Sequence, residues 1–129
     1  MPKVALVVDD SMLIRFTVCR FLELRGFEVH AATNGIEALD MLSRVCPDLV
    51  VTDMQMPKMS GSELITELKA KSETAGIPII IVAGQASGFD KSETRANVAI
   101  FKDIDIDTQL SNALAAVFGK SAHSTSAGK

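Results

Sequence analysis

Five short strand-like segments, most of them apolar runs, alternate with segments whose apolar residues recur every three or four positions, and that alternation leaves few folds open. Val4 to Val8 reads VALVV and stops at Asp9-Asp10, the pattern of a strand buried on both faces. Ile14, Val18, Phe21 and Leu22 then share one side of a helix that Gly26 can end. A second strand is predicted over 27–31, after which Asn34, three residues before Glu37, caps a helix lined by Ala38, Leu39, Leu42 and Val45. A third strand is predicted over 48–52 with Asp53 at its end, and Ser60 with Glu63 forms a capping box ahead of Leu64, Ile65 and Leu68. Pro78 opens a fourth strand, Ile79 to Ala83; residues 89–95 allow at most a two-turn helix, and Val98 to Phe101 is the fifth strand. Asp107 is expected to cap a last helix with Leu110, Ala113, Leu114 and Val117 inward.

Strands and helices in strict alternation imply an α/β fold, a five-stranded parallel sheet covered on both faces. With 129 residues there is room for one such domain, expected over 1–118; residues 119–129 are small, polar and without period, as in a disordered tail or linker stub. The longest apolar run, 77–83, is far too short to span a bilayer, and the N-terminus lacks the pattern of a secretory signal, so no membrane insertion and a cytoplasmic location are expected. The formal charge is −3, from 13 basic and 16 acidic residues with no basic run, which argues against direct nucleic-acid binding. Cys19 and Cys46 sit in apolar surroundings and read as reduced, buried thiols.

Ligands of such sheets bind beyond the carboxyl ends of the strands, where strand order reverses. Asp9 and Asp10 follow the first strand and Asp53 ends the third; in the order 2-1-3-4-5 these strands are neighbours, so three carboxylates converge. Unpaired, they repel one another, and a hard divalent cation such as Mg2+ relieves the repulsion. Lys102 ends the fifth strand on the same edge and can pair with an arriving phosphoryl group. Asp53 then reads as a carboxylate nucleophile activated by metal. The competing reading is a purely structural acidic rim with Lys102 as charge compensation, but four such groups at three separate strand ends favour chemistry.

The stretches VVDDS (7–11), TNGIEAL (33–39), VTDMQMPKMSG (51–61), PIIIVAG (78–84) and ANVAIFK (96–102) together resemble the receiver domain of two-component response regulators, of the single-domain chemotaxis type. The resemblance covers nearly the whole chain and implies a flavodoxin-like, doubly wound (βα)5 fold. It implies Asp53 as phosphoacceptor, Asp10 as direct Mg2+ ligand and Asp9 as one acting through water. It also implies the Gln55 backbone carbonyl as a further metal ligand and Lys102 as the partner of the phosphoryl oxygens. A histidine kinase or phosphotransfer protein would donate, an unnamed downstream protein would respond, and turnover would be limited to self-phosphorylation and self-dephosphorylation.

The sequence departs from that pattern at the switch. Ala83 stands where the family has Thr or Ser, Ala99 where it has a rotating aromatic, and Asp103 where a cis-proline follows the lysine. The alternative is therefore a degenerate, phosphate-insensitive receiver that serves as a docking module. Gln85 and Gln55 occupy variable positions tied to acyl-phosphate lifetime, and a Gln85 amide could stand in for the missing hydroxyl. A phosphohydrolase lacks the acid/base carboxylate expected at Gln55, and an FMN binder would not place two aspartates in its phosphate loop. The 103–107 run DIDID fails as a calcium loop at Thr108 and Leu114. His30 and His123 have no partner ligands in sequence, and Met54, Met56 and Met59 read as packing.

Overall fold

A computed structural model describes residues 3–54, 56, 58–84, 96–102 and 105–123. In chain order these form β1 (Val4–Val8), α1 (Met12–Glu23), β2 (Glu28–Ala32), α2 (Gly35–Leu42), β3 (Leu49–Asp53), α3 (Gly61–Ala70), β4 (Ile79–Ala83), β5 (Val98–Phe101) and α4 (Ile106–His123). The strands pair in parallel, as the alternation of apolar runs and helices implied, and in the order β2-β1-β3-β4-β5 that goes with the resemblance to receiver domains. The helix predicted over 89–95 lies outside the described residues.

Alternation along each strand builds two separate cores. Ala5, Val7, Leu49, Val51, Ile80 and Val82 meet Val18, Phe21 and Leu22 of α1 and Leu110 and Ala113 of α4 on one face. Leu6, Val8, Val50, Ile79 and Ile81 meet Ala38 of α2 and Leu64, Ile65 and Leu68 of α3 on the other. Both β3 and β4 are buried along their whole length, which is why their sequences read as unbroken apolar runs rather than alternating ones. Met54, Met56 and Met59 pack against the second cluster, as their loop and helix positions suggested.

Three helices carry N-caps, those at Asn34 and Ser60 as expected. Ser11 accepts from the Ile14 N–H, Asn34 from the Glu37 N–H, and Ser60 and Glu63 close a reciprocal box. Gly26 leaves α1 at φ 91°, with the Phe27 N–H returning to the Leu22 carbonyl. The last helix differs from expectation. It begins at Ile106, and its cap is Asp105: Oδ1 accepts from the Asp107 N–H at 3.1 Å, and Oδ2 from the Thr108 hydroxyl at 2.9 Å. These bonds, the hydroxyl's first, hold the Asp105 carboxyl below the usual carboxylate range. Asp107 is instead a first-turn acid on an exposed position, and the helix runs on to His123, five residues into the segment read as a patternless tail.

Cys46 lies in the α2–β3 connection and is exposed, not buried, because α2 ends at Leu42; Cys19 is half-buried on α1, and both thiols are free. At the sheet edge, the Gln109 side chain accepts from the Phe101 N–H at 2.9 Å and donates to the Phe101 carbonyl at 2.8 Å.

Opposite sides of α1 predict opposite sensitivities. Leu22 is fully buried and Phe16 is 63% exposed. Leu22→Ala should cost about 2–5 kcal/mol of unfolding free energy, and Phe16→Ala should stay within about 0.5 kcal/mol of wild type. Urea unfolding followed by circular dichroism checks both, since the chain has no Trp or Tyr to report by fluorescence.

Candidate functional site

The sheet delivers the acidic residues to one edge. Asp9 leaves β1 with its N–H still bonded to the Ala32 carbonyl of β2 at 3.1 Å. Asp53 closes β3, which pairs with β1 on one side and β4 on the other. The Lys102 N–H bonds the Ala83 carbonyl at 2.9 Å, so the lysine departs from the same edge one strand further along.

Carboxylate oxygens of Asp9, Asp10 and Asp53 all lie within 4.8 Å of one another, with Asp9 and Asp53 buried and Asp10 exposed. Lys102 Nζ sits 3.1 Å from Asp53 Oδ2 and 3.7 Å from Asp9 Oδ2. Lys102 thus pairs with two of the three carboxylates, Asp53 and Asp9. Asp9 Oδ1 accepts the Ser11 N–H at 2.8 Å, while Oδ2 is buried and, among the described residues, has no hydrogen-bond partner beyond the 3.7 Å ion pair to Lys102. Burial, reinforced by the neighbouring charges of Asp53 and Asp10, pushes the Asp9 carboxyl up to about 6 against the pull of the Ser11 N–H and Lys102.

An orphaned, buried carboxylate oxygen beside two further carboxylates is what a hard cation with oxygen ligands requires, and the donor set suits Mg2+. Four of the predicted residues, Asp9, Asp10, Asp53 and Lys102, therefore come together as the strand-end argument required. Gln55, expected to offer its carbonyl, lies outside the described residues, as do Gln85 and Asp103. Ala83 is buried at the end of β4 and presents only a methyl group. Ala99 packs against the cluster that α2 and α3 cover. His30 pairs with Glu28 on β2 at 2.8 Å and is remote from any metal role.

The loop from β3 to α3 is shaped by close approaches that composition alone does not reveal. Lys58 takes a left-handed φ of 70°. At Gly35, a side chain would sit 2.6 Å from the Met59 Cγ, so the loop's methionine rests directly on the start of α2. At Gly61, a Cβ would overlap the Asp53 carbonyl oxygen and lie 2.8 Å from the Met54 Cα. Only glycine lets α3 start against the strand end that carries Asp53. Sequence inspection also missed Glu37, whose carboxylate accepts both the Thr33 N–H and hydroxyl and is thereby held below the usual range.

An acidic crevice faced by Lys102, at the switch point of a 2-1-3-4-5 parallel sheet, places the chain among the doubly wound α/β proteins whose site lies beyond the carboxyl ends of the strands. The sequence profile of the response regulator receiver domain matches residues 5–114, and the chain belongs to that family, the receiver modules of two-component systems. It is 36% identical over 95 residues to the polar-differentiation response regulator DivK of Brucella anthropi, covering 74% of this chain and 77% of DivK. It is also 36% identical over 87 residues to the response regulator MprA of a Mycobacterium species, covering 67% of this chain but 37% of MprA. The chain thus spans little more than a third of that relative's length. The structure of the chemotaxis protein CheY4 of Vibrio cholerae aligns with a TM-score of 0.83 at 29% identity, over 92% of this chain and 100% of that one. Among the described residues no helix is long and apolar enough to cross a membrane.

Two outcomes follow from the site's geometry. Gly61→Ala should destabilise the fold by roughly 1–3 kcal/mol through overpacking, and amide chemical shifts should show the largest changes at Asp53 and Met54. In metal-free protein, Asp9→Asn should be more stable than wild type at pH 7.5, by roughly 1–3 kcal/mol. The sign follows from proton linkage. The folded Asp9 carboxyl titrates at about 6, above its unfolded value of 3.8, so between those values the folded state binds more protons and wild-type stability rises as pH falls. The advantage of Asp9→Asn should therefore shrink steadily from pH 7 to pH 4 in urea titrations with EDTA present.

Proposed function

We propose that this receiver accepts a phosphoryl group on Asp53 from a histidine kinase or phosphotransfer protein and thereby alters its affinity for a downstream protein. The observation that carries this reading is the Asp9 Oδ2 atom: buried, without a hydrogen bond, and grouped with Asp10 and Asp53 opposite the Lys102 ammonium. Asp9, Asp10 and Asp53, with the Gln55 carbonyl, would hold the Mg2+ ion. When bound, that ion offsets the carboxylate charge and draws in the phosphoryl oxygens. Asp53 supplies the attacking oxygen, forming an O–P bond as the donor's bond to phosphorus breaks and the leaving group takes up a proton. Lys102, already 3.1 Å from Asp53, pairs with a phosphoryl oxygen as charge develops there.

A protein donor needs a docking face beside this crevice. Among the described residues, Met12, Leu13, Phe16 and Leu24 are four of the five exposed large apolar side chains, and all lie on or just after α1, the helix that follows Asp10. Phe16 and Leu24 also line a groove of about 540 Å3 between α1 and α4. Output is expected to bypass the family's hydroxyl and aromatic relay, because Ala83 and Ala99 offer neither group. The second reading, a docking module indifferent to phosphate, is favoured by that methyl group at Ala83.

Intact-mass measurement after incubation with Mg2+ and a small acyl phosphate separates the two. Addition of one phosphoryl group that requires both Mg2+ and Asp53, and is absent from Asp53→Asn, is the expected result. No mass gain in folded, Mg2+-binding protein would overturn phosphoacceptance and leave the docking module.

A further inference from the structure

The turn that carries Asp9 and Asp10 is held from the α1 side by a residue that none of the family-derived roles includes. Arg15 donates from Nη1 to the Asp9 carbonyl oxygen at 2.8 Å, and its own N–H bonds the Ser11 carbonyl at 2.9 Å. Asp9 is thereby fixed at three points: its N–H on Ala32, its Oδ1 under the Ser11 N–H, and its carbonyl under Arg15. Of these three partners, only Arg15 acts through a side chain. The atom left over is Oδ2, the buried oxygen with no hydrogen bond.

The gripped carbonyl belongs to the peptide unit joining Asp9 to Asp10. Because that unit is planar, fixing its oxygen also fixes the direction in which the Asp10 Cα leaves. A charged donor makes a stronger bond to a carbonyl than a neutral one, and a guanidinium keeps its charge at every accessible pH. We propose that Arg15 is a positioning residue for the cation site, its grip on the Asp9 carbonyl aiming the Asp9 and Asp10 carboxylates together into the crevice beside Asp53. The inference rests on the reading of that crevice as a divalent-cation site.

Coulomb's law and positioning predict opposite signs here, which makes the idea sharply testable. Removing a positive charge near a cation site strengthens cation binding if charge alone matters. Loss of a group that orients the ligands weakens it, by about 10-fold or more for outer-shell partners of metal ligands. Isothermal titration with Mg2+ alone should therefore show Arg15→Met binding at least about tenfold more weakly than wild type. Arg15→Lys should fall between the two, and Arg20→Met, which removes an exposed arginine from the same helix, should match wild type. Unfolding midpoints measured alongside separate this from a purely structural role, which lowers stability without moving the affinity of the folded protein. Should Arg15→Met fail to fold, the lysine variant decides: wild-type affinity there overturns the role. Unchanged or tighter Mg2+ binding by folded Arg15→Met overturns the role while leaving the cation site intact. A wild type that takes up no Mg2+ overturns the site reading and this role together.

Discussion

Three carboxylates brought together at the edge of a dry core repel one another, and the strand ladder is what compels them to stay. Asp53 closes a strand flanked on both sides and Asp9 continues the β1–β2 pairing, so neither can withdraw without breaking backbone hydrogen bonds. Lys102 answers part of the charge from β5, and a net negative remainder persists. The raised titration of Asp9 owes most to its burial, and the neighbouring charges of Asp53 and Asp10 add to it. A cluster of this kind would be eased by a hard cation with oxygen ligands.

Most of the scaffold was legible because burial writes itself into short sequences. Short apolar runs marked most of the strands, and β3 and β4 are buried throughout. The four charged residues of the crevice were legible for a different reason: each stands at a strand end, and in a parallel sheet all such ends share one edge. What escaped notice was tertiary. Arg15 looks like any helix-surface arginine until its guanidinium is seen on the Asp9 carbonyl, and Gly61 looks like an ordinary helix start until the Asp53 carbonyl is found against it. Asp105 was passed over as a cap in favour of Asp107 because three aspartates at alternate positions give the same local signal, and only the start of the helix chooses among them. Cys46 was misplaced because an apolar neighbourhood in sequence continued past the true end of α2.

The departures from the family pattern concentrate on one side of the molecule. The acidic side of the crevice, on β1 and β3, keeps its full set of charged groups, whereas the positions on β4 and β5 that carry the usual relay are alanines. The three carboxylates and the two alanines thus lie on, or just after, different strands.

The Gln109 amide on Phe101 has a consequence for the company this protein keeps. An outer strand of a parallel sheet offers its outward N–H and C=O groups to any extended chain that comes alongside. At Phe101 both groups are already taken, by a side chain that imitates the missing neighbour for the length of one residue. Such a stub of false strand makes the border unreceptive to uninvited β-pairing, and it does so without a proline or a charge on the strand itself. The same amide anchors the first turns of α4 to the sheet, so an intruding strand must strip the helix from its mooring before it can join.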